Sequence, residues 1–394
     1  MAREIHDFIR DSHNLVGLGE PTHREPTFAQ IRNELFAQLV DRGFRSVALE
    51  IDRVAAFAVD DFVGQGEGTL DEAMSEGFTH GFGAFEGNRQ LVAWMRGYNE
   101  NRPAQERLSF HGIDAPLEFT GESPRRYLEH GRDYLGLDLD IAGLAGEDER
   151  WSRWDAVMDP AQSPGDTAEA RKLRVIADDL LTALYARAPE LIAATSRADW
   201  DRARVHLTSA LGLLRYHRQA AQRIEDGERW SALSATRDAL MAQNLLDIRD
   251  LEADRGPTLV FAHNTHLQRN PSRMVVEGTA MGGMDLTWHG TGAIVASLVG
   301  KQYAFIAGSL GRSEGLKLEA PEPGTFEGSL QQRFTQWGLA PADSVGSASA
   351  RTDATQEQAY FPLDQATLDG ADAVLHVSEG ATVAVPWPSA AAND

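Results

Sequence analysis

Cysteine is absent from this 394-residue chain. Without a thiol there is no disulfide scaffold, no cysteine-based zinc or iron–sulfur site and no thiolate nucleophile. Lysine is nearly absent as well, occurring only as Lys172, Lys301 and Lys317, so arginine carries almost all the positive charge. Positive charge itself is scarce: 37 basic residues face 59 acidic ones, for a net charge of −22. A field of that sign repels phosphate backbones and anionic headgroups, which sets aside nucleic acid and membrane surfaces as partners. No apolar run reaches the roughly 18 residues of a membrane span, and the opening MAREIHDFIRDSHN lacks a hydrophobic signal core. The expectation is a soluble, cytoplasmic protein that acts on a small molecule, as a monomer or a small homo-oligomer.

Several common motifs are also missing. Gly17-Leu18-Gly19-Glu20-Pro21-Thr22 starts like a dinucleotide loop, but Thr22 stands where the third glycine belongs and Glu20 would repel a pyrophosphate. Ala307-Gly308-Ser309-Leu310-Gly311 lacks the first glycine of a nucleophile elbow, and there is no Walker A loop.

What is present is an α/β pattern. Short apolar runs at Leu15–Leu18, Ser46–Leu49, Leu108–Phe110, Thr258–Ala262, Tyr303–Ile306 and Ala373–Leu375 read as strands. Between the early ones lie helices with Phe28, Ile31, Leu35, Phe36 and Leu39 on one face, then Ala55–Val63, then Asn88–Asn99. Alternation at this spacing predicts a three-layer sandwich with a mostly parallel sheet. Residues 121–250 differ: Arg125–Leu135, Ala168–Ala186, Trp200–Asp226 and Trp230–Asp250 have helical periodicity and no strand pattern. They read as a large all-helical insertion over the cleft, with residues 1–120 and 251–394 forming the α/β core. Residues 340–358 are small and polar, as in a loop. The tryptophans at 151, 154, 200 and 230 are expected to fill the helical core, with one or two free to line an apolar wall of the cleft.

Ligands of open parallel sheets sit beyond the carboxyl ends of the strands. Here four expected strands end in reactive residues: Glu20 with His23, Glu50, His111 with Asp114, and His263 with His266. Arg32 falls inside the apolar stripe of its helix. A buried guanidinium keeps its proton and needs a partner, for which Glu20 and Glu50 are the candidates; the competing reading is a head that snorkels to solvent. His23 lies just before a helix start, where the macrodipole favours a neutral imidazole suited to a general base, or to capping. His263 and His266 fit an oxyanion-binding pair, or a metal site completed by Glu20, Glu50 or His23.

Read together, these segments resemble the erythromycin esterase family. The resemblance is carried by GLGEPTHREPTFAQIRNELF (17–36), GFRSVALEID (43–52), LVAWMRGYN (91–99), FHGID (110–114), RDALMAQN (237–244) and VFAHNTHLQR (260–269), with MGGMDLTWHG and KQYAFIAGS following. It implies a hydrolase that opens a macrocyclic lactone by attack of water, without a covalent acyl-enzyme. It also implies that His23 is the general base and that Glu20, Glu50, Arg32, His263 and His266 are functional. The family commonly has glycine after that histidine, where this chain has Arg24. On this reading Glu20 orients His23, Glu50 anchors Arg32 or positions the water, and His263, His266 or Arg32 stabilises the oxyanion. His266, Arg24, Asp114 and His111 are expected to contact substrate, with no cofactor. The alternatives are a divalent metal at the Glu20/His23/His263 cluster, another acyl or elimination reaction on a natural product, and a non-catalytic sequestering protein.

Overall fold

The structure is a computed structural model and describes residues 4–117, 120–276 and 283–383. Met281 and Gly282 of the MGGMDLTWHG segment lie outside these. Among the described residues there are nine strands: β1 Leu15–Glu20, β2 Ser46–Asp52, β3 Ser109–Asp114, β4 Thr258–His263, β5 Ser272–Val276, β6 Met284–Trp288, β7 Tyr303–Arg312, β8 Trp337–Pro341 and β9 Ala373–Glu379. Seven form one sheet in the order β3-β2-β4-β1-β7-β9-β8, parallel except for β8, which runs antiparallel to β9. β5 and β6 form a separate antiparallel pair.

Every residue of β1, β2 and β4 is buried, as a parallel sheet covered on both faces demands. Side chains alternate between the two faces. Val16, Leu18, Val47 and Leu49 meet Phe28, Ile31, Leu35 and Leu39 of the Pro26–Val40 helix. Leu15, Ala48, Ile113 and Val260 meet Met241, Leu245 and Ile248 of the Asp226–Glu252 helix. Helix, sheet and helix are therefore the three layers. Between β3 and β4 the described chain forms helices and no strand, with an apolar cluster of its own that includes Trp151, Leu173, Leu184 and Leu213.

Several expectations need correction. β3 runs on to Asp114 instead of stopping at Phe110, because Gly112 tucks under the Ile51–Asp52 backbone, where a Cβ would come within 2.6 Å of two carbonyls. β8 enters the expected 340–358 loop by two residues. Its Gly338 and Pro341 hide the strand signal, and proline is tolerated because β8 is an edge strand. The expected Trp200–Asp226 helix ends at Ala220, and a new helix starts at Asp226 behind the Glu225 cap. Trp154 does not pack inside; it is 45% exposed.

Candidate active site

The carboxyl ends of β1–β4 bring Glu20, Glu50, Asp114 and His263 to one edge of the sheet, all buried. Which face each one reaches follows from strand alternation. Glu20 continues the Val16–Leu18 face toward the Pro26–Val40 helix. Glu50 continues the Ala48 face toward the Asp226–Glu252 helix, and the β2–β3 register breaks just there, between Leu49 and Asp52.

His23 lies in the turn after β1. Its Nδ1 is 2.7 Å from Glu20 Oε1, and its Nε2 is 3.7 Å from Glu50 Oε1. Burial works against a charge on His23, but Glu50 and the hydrogen bond with Glu20 outweigh it and raise the imidazole above its ordinary 6.5. The helix-start argument predicted the opposite direction; two carboxylates at contact distance override a dipole three residues away. Glu20 is itself raised, chiefly by burial, while its bond with His23 opposes that shift.

Arg32 is 1% exposed, so it does not snorkel. Nor does it pair with Glu20 or Glu50. Its Nη1 donates to Asn88 Oδ1 at 2.8 Å, and Nη2 donates to Asn33 Oδ1 at 2.8 Å and to the Gly87 carbonyl at 3.3 Å. Glu50 points to the other face of the sheet, which is why it cannot serve this arginine. Burial lowers Arg32 to about 10, with Glu20 pulling the other way, and the group stays cationic at neutral pH. Glu20, His23, Glu50 and Arg32 line one small cavity with Phe82, Phe85 and Phe261. Phenylalanines thus form its apolar wall, where tryptophans were considered. The cavity offers about 20 Å³, room for one water-sized sphere.

Glu50 is the hub of a second network. Its Oε2 accepts from the His263 backbone N–H at 2.8 Å. Its Oε1 accepts from Arg237 Nη2 at 3.2 Å and lies 3.3 Å from His266 Nε2. Burial would raise this carboxyl, but His266, His23 and Arg237 hold it well below the usual range. His266 Nδ1 meets Asp238 at 2.9 Å, so the ring sits between two carboxylates. Against burial, these raise it to about 10. Asp238 is further held by Trp288 Nε1 at 2.7 Å and by the Thr291 N–H and hydroxyl at 2.7 and 2.8 Å. Asp114 joins through Arg237, 2.5 Å away, and His80, 3.1 Å away.

His263 stands beside His23, with ring centroids 5.1 Å apart. Its Nδ1 accepts the Thr265 N–H at 3.3 Å, and burial and His23 lower it to about 3, so it is neutral. Asn264 is clamped to Gly308 of β7, donating to its carbonyl at 2.8 Å and accepting its N–H at 2.9 Å. This clamp crosses β1 over Gly19, where a Cβ would collide with the Asn264 side chain.

Two expected contacts are not brought to the cluster. His111 lies three residues, about 10 Å, down β3 from Asp114. There it pairs with Glu252 at 2.8 Å. Arg24 turns away from its neighbour His23 and donates to the Glu357 carbonyl at 2.5 Å. The residue-by-residue reading missed Arg237, Asp238 and His80. Arg237 and Asp238 carried the signal that exposed Arg32: charges next to the apolar positions Leu233, Leu240 and Met241. His80 had no such signal, although its φ of +58° is unusual for a non-glycine residue. Among the described residues no group of three or more histidines and carboxylates is arranged to hold a metal ion. No described helix is long and apolar enough to cross a membrane.

Fold and site together define an α/β protein with a buried histidine–carboxylate cluster where enzymes of this architecture place their ligands. The chain belongs to the erythromycin esterase family, whose sequence model matches residues 39–382. That match begins after Glu20, His23 and Arg32. An erythromycin esterase type II of Escherichia coli is 24% identical over 265 residues, 65% of this chain and 61% of the relative. The matched part thus spans about three-fifths of that protein's length. Among solved structures, a Bacillus cereus protein superimposes with a TM-score of 0.67 at 16% identity, covering 96% of this chain and 91% of the other. A mutant erythromycin esterase, EreC, in its open conformation gives 0.66 at 19% identity, covering 95% and 92%. A succinoglycan biosynthesis protein gives 0.63 at 15% identity, covering 94% and 89%. At these identities the shared property is the fold.

Proposed function

We propose that this protein hydrolyses an ester or lactone of a small molecule by general-base activation of water, with macrocyclic lactones as the first substrate class to test, since two of its relatives are named erythromycin esterases. The observation that carries this reading is His23, bonded through Nδ1 to Glu20, with Nε2 3.7 Å from Glu50, at a water-sized cavity that His23, Glu20, Glu50 and Arg32 line together. Nε2 takes a proton from water as its oxygen attacks the carbonyl carbon. Glu20 fixes the tautomer and stabilises the imidazolium that forms. Arg32, a buried cation held only by neutral acceptors, stabilises the oxyanion. Collapse breaks the carbon–oxygen ester bond, and His23 returns its proton to the leaving alkoxide, giving an acid and an alcohol. His266 and His263 are assigned supporting roles, since one is protonated between two carboxylates and the other uses its lone pair on Thr265.

The test is to incubate the wild-type and His23→Ala chains with macrolides, simpler lactones and esters, following product mass. A gain of one water that requires His23 supports the reading. Equal turnover by a folded His23→Ala protein would overturn it.

A further inference from the structure

A second cavity, of about 210 Å³, opens between the Arg197–Ala220 and Asp226–Glu252 helices, beside the ends of β2 and β3. Its lining includes Arg53, Arg204, Ser209, Leu240, Asn244 and Asp247. It is larger than the roughly 150 Å³ cavity that accommodates a benzene ring.

Charge in this cavity runs against that of the chain. Arg53, 5% exposed, and Arg204 both bond to Asp247, the latter at 2.5 Å. Arg204 also lies 3.5 Å from Asp201, which the exposed Arg197 already binds at 2.8 Å. The lining thus holds two guanidiniums, Arg53 and Arg204, against one carboxylate, Asp247, in a protein of net charge −22. Arg53 is lowered, by burial first, with Arg204 adding to it. A buried excess cation is costly unless an anion joins it.

Donors are available for that anion. Ser209 is 7% exposed, and its hydroxyl makes no hydrogen bond among the described residues. The arginines bond through their Nη atoms, leaving both Nε–H groups without an acceptor among the described residues. Leu240 supplies an apolar surface beside them. Asn244 Nδ2 donates to the Ile113 and Asp114 carbonyls at 3.0 and 3.3 Å, fixing the helix wall against β3.

We propose that this cavity binds a small organic acid, its carboxylate held by Arg53, Arg204 and Ser209 and its apolar body lying over Leu240. The acid is either a free metabolite or a carboxylate-bearing arm of the substrate. Positions 237, 240, 244 and 247 share one face of the Asp226–Glu252 helix, so the cavity, lined there by residues 240 to 247, begins within a turn of Arg237 and extends about 10 Å along the axis. The binding site does not depend on the hydrolytic reading, since none of its ligands belongs to the His23 cluster.

Calorimetry or ligand-observed NMR with benzoate and its neutral counterpart benzamide tests this, using the full chain and its His23→Ala variant. Benzoate is expected to bind saturably to both, with benzamide at least tenfold weaker. Arg204→Gln should weaken benzoate about tenfold and Ser209→Ala severalfold, while Asp247→Asn, which removes the competing carboxylate, should tighten it. Ser209→Ala keeps the test decisive if Arg204→Gln fails to fold. No saturable benzoate binding, equal affinity for benzamide, or unchanged affinity in Ser209→Ala would overturn the proposal. Competitive inhibition of ester turnover by benzoate would assign the site to the substrate's own arm; binding without inhibition would assign it to a separate acid. Both results leave the site standing.

Discussion

His23 and Glu20, three residues apart, meet at 2.7 Å in the turn after β1, with the second carboxylate, Glu50, 3.7 Å from the opposite ring nitrogen. Because these acids raise the imidazole above 6.5, the base is fully available only on the alkaline side of neutrality. The profile of kcat/KM against pH should therefore rise along an acid limb with its midpoint above 6.5. Removing the Glu20 charge by Glu20→Gln should move that limb to lower pH and cut the plateau. His23→Ala should abolish the limb and lower turnover by about 10²–10⁴-fold, the usual worth of a positioned base.

Arg32 makes a different prediction, because its partners are neutral. Arg32→Met removes the cation but keeps most of the volume, and so should lower kcat more than it raises KM. A loss on the order of 10²–10³-fold in kcat is expected for one oxyanion donor. The folded state should not suffer as it does when an ion pair is split, since Asn33, Asn88 and the Gly87 carbonyl carry no charge. Denaturant titration beside the kinetics separates the two effects.

Arg237 behaves in the opposite way. It bridges Glu50 and Asp114, at 3.2 and 2.5 Å, and both are buried carboxylates. Arg237→Met leaves two buried charges without their shared partner. Breaking a buried pair costs about 3–5 kcal/mol, and the partial exposure of Arg237 places this loss toward the lower end. The denaturation midpoint should fall clearly. Adding Asp114→Asn to that variant should restore part of the stability.

His266 gives stability a pH signature. Its folded-state value is raised to about 10 from an ordinary 6.5. The stabilisation is then complete below about 6.5 and is lost as pH rises through about 10. Denaturant midpoints measured from about pH 7 to about pH 10 should decline in the wild type and be flatter in His266→Gln.

A chelator provides the remaining test. Among the described residues no group of three or more histidines and carboxylates is arranged to hold a metal ion. Esterase activity should survive prolonged EDTA treatment and dialysis. Loss of activity restored by one divalent metal would instead favour the metal-assisted alternative.

Much of this arrangement was legible in the linear chain. Parallel strands buried on both faces need apolar runs, and the residues that end those runs must lie at one edge, so Glu20, Glu50, Asp114 and His263 could be placed before any coordinates. Arg32 betrayed itself by interrupting an apolar stripe. The Ala168–Ala186 helix follows from periodicity.

Which of these groups meet, and in what charge state, was decided only by the tertiary structure. Strand alternation sends Glu20 and Glu50 to opposite faces, so Arg32 is held by amides while Arg237, from a helix more than 180 residues further along, takes Glu50. The continuation of β3 past Phe110 carries His111 away from the edge and leaves Asp114 there. The direction of the His23 shift depends on two carboxylates at contact range, and distances of that kind are absent from sequence spacing. Local pattern determines where a side chain sits on its own element; packing between distant elements determines its partner, and the partner determines its chemistry.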